Sequence, residues 1–330
     1  MSRAYAYRSV RGTQGFTLVE LLVVIGIIAL LISILLPVLG KAQMAAKRTQ
    51  CMSNMRQLAM AIVSFANDHN GVMPTAGGRY QYKITATHRI EPMTPADEEA
   101  GFPVDFADWI CWPRYKDPIN GFISTAPRLN ITYSALTPYL GAQRTDAANP
   151  NEANRLAEKL DAIYRCPADD LSFRLTFNDP STGTYRYSYA MNVAYASAPP
   201  GKLYAFPGYG RGERYDGQFT GKIASIKNAA EKVLLICEDE RTINDGEYHP
   251  RPDLWDAGDG AGAATPVLDI LAARHDAIAK KAQSRGNLGE KTDNAMGVAA
   301  FCDGHVEIIG RKEVLRQKHT GNPNPDPAGF

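Results

Sequence analysis

From Phe16 to Leu39 the chain is almost wholly apolar, with Leu, Val, Ile, Ala and Gly interrupted only by Thr17, Glu20, Ser33 and Pro37. A helix needs about 20 such residues to cross a bilayer, so this run is long enough to span, and whatever follows it is carried on it. A cleavable secretory peptide would show an apolar core of roughly 7–15 residues and a small-residue cut site. Here the run is longer and leads straight into Lys41, Lys47 and Arg48.

Glu20 is the one charged side chain in the run. A carboxylate inside a bilayer costs at least about 2.5 kcal/mol on insertion scales unless something pairs with it, and no cation lies within the run. One reading leaves Glu20 in the headgroup layer near the helix end, with no further meaning. The other has the chain cut between Gly15 and Phe16. The new α-amino group at Phe16 then supplies a positive charge close to Glu20, and in a staggered assembly the amine of one subunit meets the carboxylate of the next.

Arg3, Arg8 and Arg11 lead into Gly15-Phe16-Thr17-Leu18-Val19-Glu20. Basic residues ahead of a Gly, then Phe-Thr-Leu-x-Glu, resemble the cleavage and methylation signature of type IV prepilins and type II secretion pseudopilins. The resemblance implies a basic leader, 1–15, removed by a membrane prepilin peptidase that cuts after Gly15 and methylates Phe16. It makes Glu20 the assembly glutamate, and Pro37 falls where the family often carries a helix-kinking proline. It also implies a cytoplasmic leader, a single inner-membrane pass, a periplasmic head and a later place in a filament. Charge alone does not settle that orientation, because Lys41, Lys47, Arg48 and Arg56 lie on the other flank of the run.

The 330 residues, 45% hydrophobic and 22% charged with a net charge of +1, suit one sizeable folded head beyond the anchor. With no basic excess, nucleic acid is not expected as a partner. Cys51, Cys111, Cys166, Cys237 and Cys302 are widely spread, with no C-x-x-C and no zinc-type spacing. An odd number leaves at least one without an internal partner. Outside the cytoplasm one or two disulfides are permitted; the alternative is five small buried thiols.

Beyond the anchor, Met52, Met55, Leu58 or Ala59, Ile62 and Phe65 or Ala66 recur at spacings of three and four, with Lys47, Asn54, Arg56 and Gln57 between them. This predicts an amphipathic helix packed on the head, ended near residue 68 with Gly71 at the left-handed C′ position. Residues 16 to 68 would form one helix of about 80 Å at about 1.5 Å per residue, open to a bend at Pro37. Residues 72 to 130, rich in Pro and Gly, read as loops and short strands. A short helix is expected over Glu152–Tyr164, strands over Thr184–Asn192 and Val233–Cys237, and a loop from Ala257 to Ala264. Gly297–Cys302 and His305–Ile309 read as a hairpin with a two-residue type I′ turn at Asp303-Gly304. Residues 320–330 read as a mobile tail.

The C-terminal half adds a narrower resemblance. Cys51-x-x-Asn54-x-Arg56-Gln57-Leu58, Cys166-Pro167 with Asp169 or Asp170, Arg274-His275 and Phe301-Cys302-Asp303-Gly304-His305-Val306 are similar to large-headed prepilin-like proteins that end in a His followed by Asp-Gly. Here a long polar stretch, Ala277 to Thr292, separates His275 from Asp303-Gly304 as an insertion, which leaves their pairing open.

Catalytic motifs are lacking: there is no H-E-x-x-H, G-x-S-x-G or P-loop, and Gly208-Tyr209-Gly210-Arg211-Gly212 lacks dinucleotide spacing. His275, Asp303 and His305 are the side chains that could gather round a metal or do acid–base work, but a turn accounts for Asp303 and a strand for His305. Several major pseudopilins hold calcium in a C-terminal loop; Asp253, Asp256 and Asp259 in one Gly-rich loop offer suitable oxygen ligands here, against the simpler reading of a solvated acidic loop.

The expectation is therefore an α+β, pilin-like fold: a leader at 1–15, a long N-terminal helix over 16–70 with its first half in the membrane, a head at 71–319 with a small antiparallel sheet, and a tail. Its function would be structural, not enzymatic, in a type II secretion pseudopilus or a type IV pilus-like filament, with no resident cofactor beyond a calcium option. The implied partners are the prepilin peptidase, copies of itself and other pilins or pseudopilins, an assembly platform protein and membrane lipid. The alternative is a membrane-anchored extracytoplasmic enzyme or ligand-binding protein whose head uses Trp109, Trp112 and many tyrosines.

Overall fold

A computed structural model describes residues 17–76, 82–94, 105–111, 131–143, 158, 160–170, 185–196, 219–239, 242–243, 246–250, 252, 269–275, 295–321 and 326. The chain divides into two compact units, Met1–Ala46 and Lys47–Phe330.

One helix, α1, runs from Leu18 to Asp68 and continues through Pro37. Its start is written into Thr17-x-x-Glu20. The Glu20 N–H donates to Thr17 Oγ1 (3.3 Å), while the Thr17 N–H (2.8 Å) and hydroxyl (2.7 Å) both donate to Glu20 Oε2. This reciprocal capping box satisfies N–H groups that a helix start otherwise leaves without partners. In the first unit the Leu, Val and Ile side chains from Leu18 to Leu39 are exposed all round the helix.

In the second unit α1 turns one face into the core, burying Cys51, Asn54, Met55, Leu58, Ala59, Ala61, Ile62, Phe65 and Ala66. The predicted stripe is there, but Asn54 is buried with it and does not lie on the solvent face. Its Nδ2 donates to the carbonyls of Ala162 (2.8 Å) and Arg165 (3.0 Å), which end the helical residues 160–164. The carbonyls at a helix end have no partners of their own, so an amide on α1 supplies them. The end of α1 is also shifted by one residue from expectation. The Gly71 N–H donates to Ala66 O (2.7 Å), the six-to-one bond of a Schellman motif. Asn70, with φ 55°, therefore takes C′ and Gly71, with φ 82°, takes C″.

Residues 72–111 supply β1 (Tyr82–Ile84), β2 (Ile90–Pro92) and β3 (Asp105–Phe106), a small antiparallel sheet in the order β2-β1-β3. Trp109 beside it is fully buried, its Nε1–H donating to Gly246 O (3.1 Å).

The main sheet has the order β6-β4-β5-β7-β8, from β4 (Tyr189–Asn192), β5 (Val233–Cys237), β6 (Glu247–Tyr248), β7 (Met296–Phe301) and β8 (Val306–Gly310). Its pairs are antiparallel except β4 with β6, which is parallel. The sheet has two apolar faces. On β7, Val298 and Ala300, followed by Cys302 just beyond the strand, join the cluster that contains α1, and Ala299 and Phe301 join Ile270, Leu271 and Val314 on the other side. On β5 the alternation slips: Leu234 and Leu235 both face the α1 cluster while Val233 and Ile236 face away. A bulge between Val233 and Leu235 places two successive side chains on one face. Gly297 is required where β7 passes the 271–272 segment, because a Cβ there would lie 2.4 Å from both Ala272 O and Leu271 Cγ.

Three expected boundaries change. The strand predicted over Thr184–Asn192 is Tyr189–Asn192; upstream, the Ser188 N–H donates to Tyr164 O (3.1 Å), tying that residue to the 160–164 helix. The hairpin turn is not type I′, since Asp303 is absent from the left-handed residues and only Gly304 (φ 89°) has a positive φ there. The Gly304 N–H donates to Phe301 O and the Phe301 N–H to His305 O (both 2.9 Å), a three-residue connection with Gly304 as the left-handed residue of a G1 bulge. At the C-terminus, Thr320 is fully buried and the Gln317 N–H donates to Asp326 Oδ1 (2.6 Å), so the packed head reaches past residue 319.

Candidate functional site

The first half of α1 is one candidate. Among the described residues its Leu, Val and Ile side chains from Leu18 to Leu39 are exposed, and it is long and apolar enough to cross a membrane. Such a surface is stable only against lipid or other apolar helices. Glu20 is not left bare at its start. The capping box gives the carboxylate two local donors, neither of them a cation. Gly15 and Phe16 lie outside the described residues.

A second candidate lies in the head, where residues far apart in sequence converge. Cys51 of α1, Cys166 after the 160–164 helix and His275 bring two sulfurs and a ring nitrogen to within 4.8 Å of one another. Cys166 Sγ and His275 Nε2 are 3.1 Å apart. Cys237, the last residue of β5, is close enough that its thiol interacts with both Cys51 and Cys166. All five cysteines are free thiols and buried.

Each member of this cluster is held by its own neighbours. Asn54, one turn from Cys51, grips the carbonyls that precede Cys166, and the Cys166 N–H donates to Ser188 Oγ (2.9 Å). Ser188 in turn donates to Asp169 Oδ2 (2.6 Å). The Arg274 guanidinium donates to Glu238 O (2.6 Å) and to Cys237 Sγ (3.5 Å), and lies 3.5 Å from Asp169. The Tyr189 hydroxyl donates to Cys51 Sγ (3.5 Å). Burial pushes the Cys51 and Cys237 thiols up. Burial works the same way on Cys166, but the Cys237 and Cys51 thiols, the His275 ring and Arg274 outweigh it and pull Cys166 well below its ordinary value. A buried thiol made readily ionisable beside two more sulfurs and an imidazole is a donor set for a soft cation.

The cysteine spacing suggests no zinc-type cluster; the fold nevertheless brings Cys51, Cys166 and His275 together from three separate segments. The signal available in the sequence was the set of short pieces Cys51-x-x-Asn54, Cys166-Pro167 and Arg274-His275. Their proximity becomes visible only once Asn54 is seen to dock the 162–166 segment.

The other expected site residues are dispersed. His275 meets Cys166, and Asp303 meets His305, accepting from its N–H (3.1 Å) with Oδ1 2.5 Å from its Nδ1; no hydrogen bond joins His275 to Asp303. Gly304 supplies the turn, and His305 stacks on Phe301 with centroids 4.3 Å apart. Asp253, Asp256 and Asp259 lie outside the described residues, as does Trp112. Trp109 and Tyr133, Tyr164, Tyr185, Tyr187, Tyr189, Tyr195 and Tyr248 are core side chains and offer no ring to a saccharide.

Burial opposes ionisation of Asp303 a little, but the His305 N–H and ring hold its carboxyl below the usual range. A depressed carboxyl pKa contributes stability above the unfolded value of about 3.9, lost as pH falls through the folded value. Because the group is more than a third exposed, that contribution is small. Asp303→Asn keeps an acceptor for the His305 N–H, so it is expected to change stability at pH 7 by less than about 0.5 kcal/mol, with the difference fading in acid. Thermal melts at pH 7 and pH 3 check this. A loss of several kcal/mol, or of a metal-dependent stabilisation, would show Asp303 to be more than a turn residue.

Comparison with known proteins addresses the N-terminus. The prokaryotic N-terminal methylation motif matches residues 10–36. Over 82 residues, 22% of this chain, the sequence is 33% identical to the type IV major pilin protein PilA of Myxococcus xanthus (strain DK1622). That alignment covers 37% of the pilin, about a third of its length. No solved structure matches. The chain is thus prepilin-like, with a long N-terminal helix and an α+β head.

Proposed function

We propose that this prepilin-like chain is a structural subunit cut after Gly15, methylated at Phe16 and polymerised through α1 into a type II secretion pseudopilus or a type IV pilus-like filament. One observation carries the reading: from Leu18 to Leu39 the apolar side chains are exposed all round a helix that opens inside the prokaryotic methylation motif. A helix apolar all round has to be enclosed. Before assembly lipid encloses it, with the leader in the cytoplasm and the head in the periplasm; after assembly other copies do. Helix packing supplies cohesion, and the Phe16 amine of one subunit against Glu20 of the next sets register.

In this reading the prepilin peptidase, other pilins or pseudopilins and an assembly platform protein are the partners, and the head performs no catalysis. The experiment is to shear the surface of cells making the protein and probe the filament fraction. The mature chain, shortened by the leader, is expected there. Its confinement to the membrane fraction, with filaments present but devoid of it, would favour a membrane-anchored protein that only shares the leader.

A further inference from the structure

We propose that Cys51, Cys166, Cys237 and His275 hold one thiophilic divalent cation, zinc by its chemistry, which pins α1 to the main sheet of the head. The proposal goes beyond the filament reading and does not depend on it. Around a tetrahedral zinc with bonds of about 2.3 Å to sulfur and about 2.0–2.1 Å to nitrogen, neighbouring ligand atoms lie about 3.5–3.8 Å apart. Cys51, Cys166 and His275 already place theirs within 4.8 Å of one another; the Cys237 thiol interacts with both other sulfurs but falls outside that group, so it has to swing inward to serve as the fourth ligand. Three sulfurs and one imidazole complete a four-coordinate set supplied wholly by protein, the form of a structural site.

The surroundings fit that charge. Three thiolates with one divalent cation carry a net negative charge, and the Arg274 guanidinium lies against Cys237 Sγ. The Tyr189 hydroxyl aims at Cys51 Sγ, the place of an outer-shell donor to a metal-bound thiolate. Among the described residues His275 Nδ1 is buried with no hydrogen-bond partner, and its other nitrogen, Nε2, is the one turned to the sulfurs. A disulfide would use two of the three sulfurs and leave the third, with the imidazole, unexplained. Calcium is a poor match because it takes oxygen ligands.

The test uses the full-length chain, purified in detergent without chelator or reductant from zinc-replete medium. Elemental analysis is expected to find one zinc per chain, and cobalt substitution to give the visible absorption of a tetrahedral, thiolate-rich site. Cys51→Ser and His275→Ala should each lower zinc content at least tenfold, while Cys111→Ala, away from the cluster, should retain it. A chelator should lower the melting temperature of wild type and of Cys111→Ala, and leave Cys51→Ser unmoved. Because the first measurement is on wild type, a variant that fails to fold does not rescue the idea. Wild type without zinc overturns it in two ways. Peptide mapping that links two of Cys51, Cys166 and Cys237 shows a disulfide, and three thiols alkylated on unfolding show a plain thiol core. Either result leaves the filament assignment untouched, since that stands on the processed N-terminus.

Discussion

Gly15→Val is expected to accumulate as a full-length chain that keeps its leader, whereas wild type is recovered beginning at an N-methylated Phe16. A peptidase must draw the backbone on both sides of the scissile bond against its own, and Gly permits that approach because it has no Cβ. Val places two heavy atoms on Cβ at that spot and stiffens the backbone around it. The effect should be close to all-or-none, with essentially every variant chain carrying Arg3, Arg8 and Arg11 and no free amine at Phe16. Intact-mass measurement of the membrane fraction decides it. A wild-type start elsewhere, or a wild-type chain that retains residues 1–15, would remove the proposed processing and the filament reading with it.

The second large effect is expected at Glu20, where two substitutions separate its capping role from its proposed role in assembly. Glu20→Ala removes both the capping box with Thr17 and the charge proposed to meet the next subunit's amine. Glu20→Gln keeps a side chain suited to the box and removes only the charge. Removing one partner of a buried ion pair costs about 3–5 kcal/mol, on the order of 10²–10⁴-fold in the equilibrium for adding a subunit, whereas losing a cap costs roughly 0.5–2 kcal/mol. Filament yield should therefore collapse in both variants while membrane insertion is kept or improved, since neither buries a charge in lipid. Assembly by Glu20→Gln at the wild-type level would mean that Glu20 serves the helix start and that register is set elsewhere.

How much of this could be read from the residues differs along the chain, for physical reasons. The anchor was legible because spanning a bilayer demands an unbroken apolar run, and the buried stripe of α1 because helical periodicity repeats locally. Thr17 and Glu20 carry the capping-box pattern, and the same carboxylate that stands out as a charge in an apolar run is held by local hydrogen bonds. Asn54 was placed on the polar face by residue type, although its amide is buried to serve carbonyls of another segment. The turn at Asp303-Gly304 is legible in place but not in type, because Asp-Gly suits both a type I′ turn and a turn ending in a G1 bulge. The thiol cluster was beyond a reading by spacing, since its members meet only through tertiary contacts among α1, the 160–164 helix, β5 and the segment before β7.

The burial of the second half of α1 also governs the order of events during synthesis. Met55, Leu58, Ile62 and Phe65 find their apolar neighbours on β5 and β7, in a cluster that includes Leu235, Val298 and Ala300. Roughly 250 residues must be translated between Cys51 and the end of β7, which at about 5–20 residues per second takes about 12–50 s. For that interval the nascent chain presents a ready-made greasy helix face with no cognate surface to receive it. The core of the head consequently cannot close until β7 has been made. Truncations that stop short of β7 should therefore be cleared as aggregation-prone, protease-sensitive chains even though the anchor and α1 are intact.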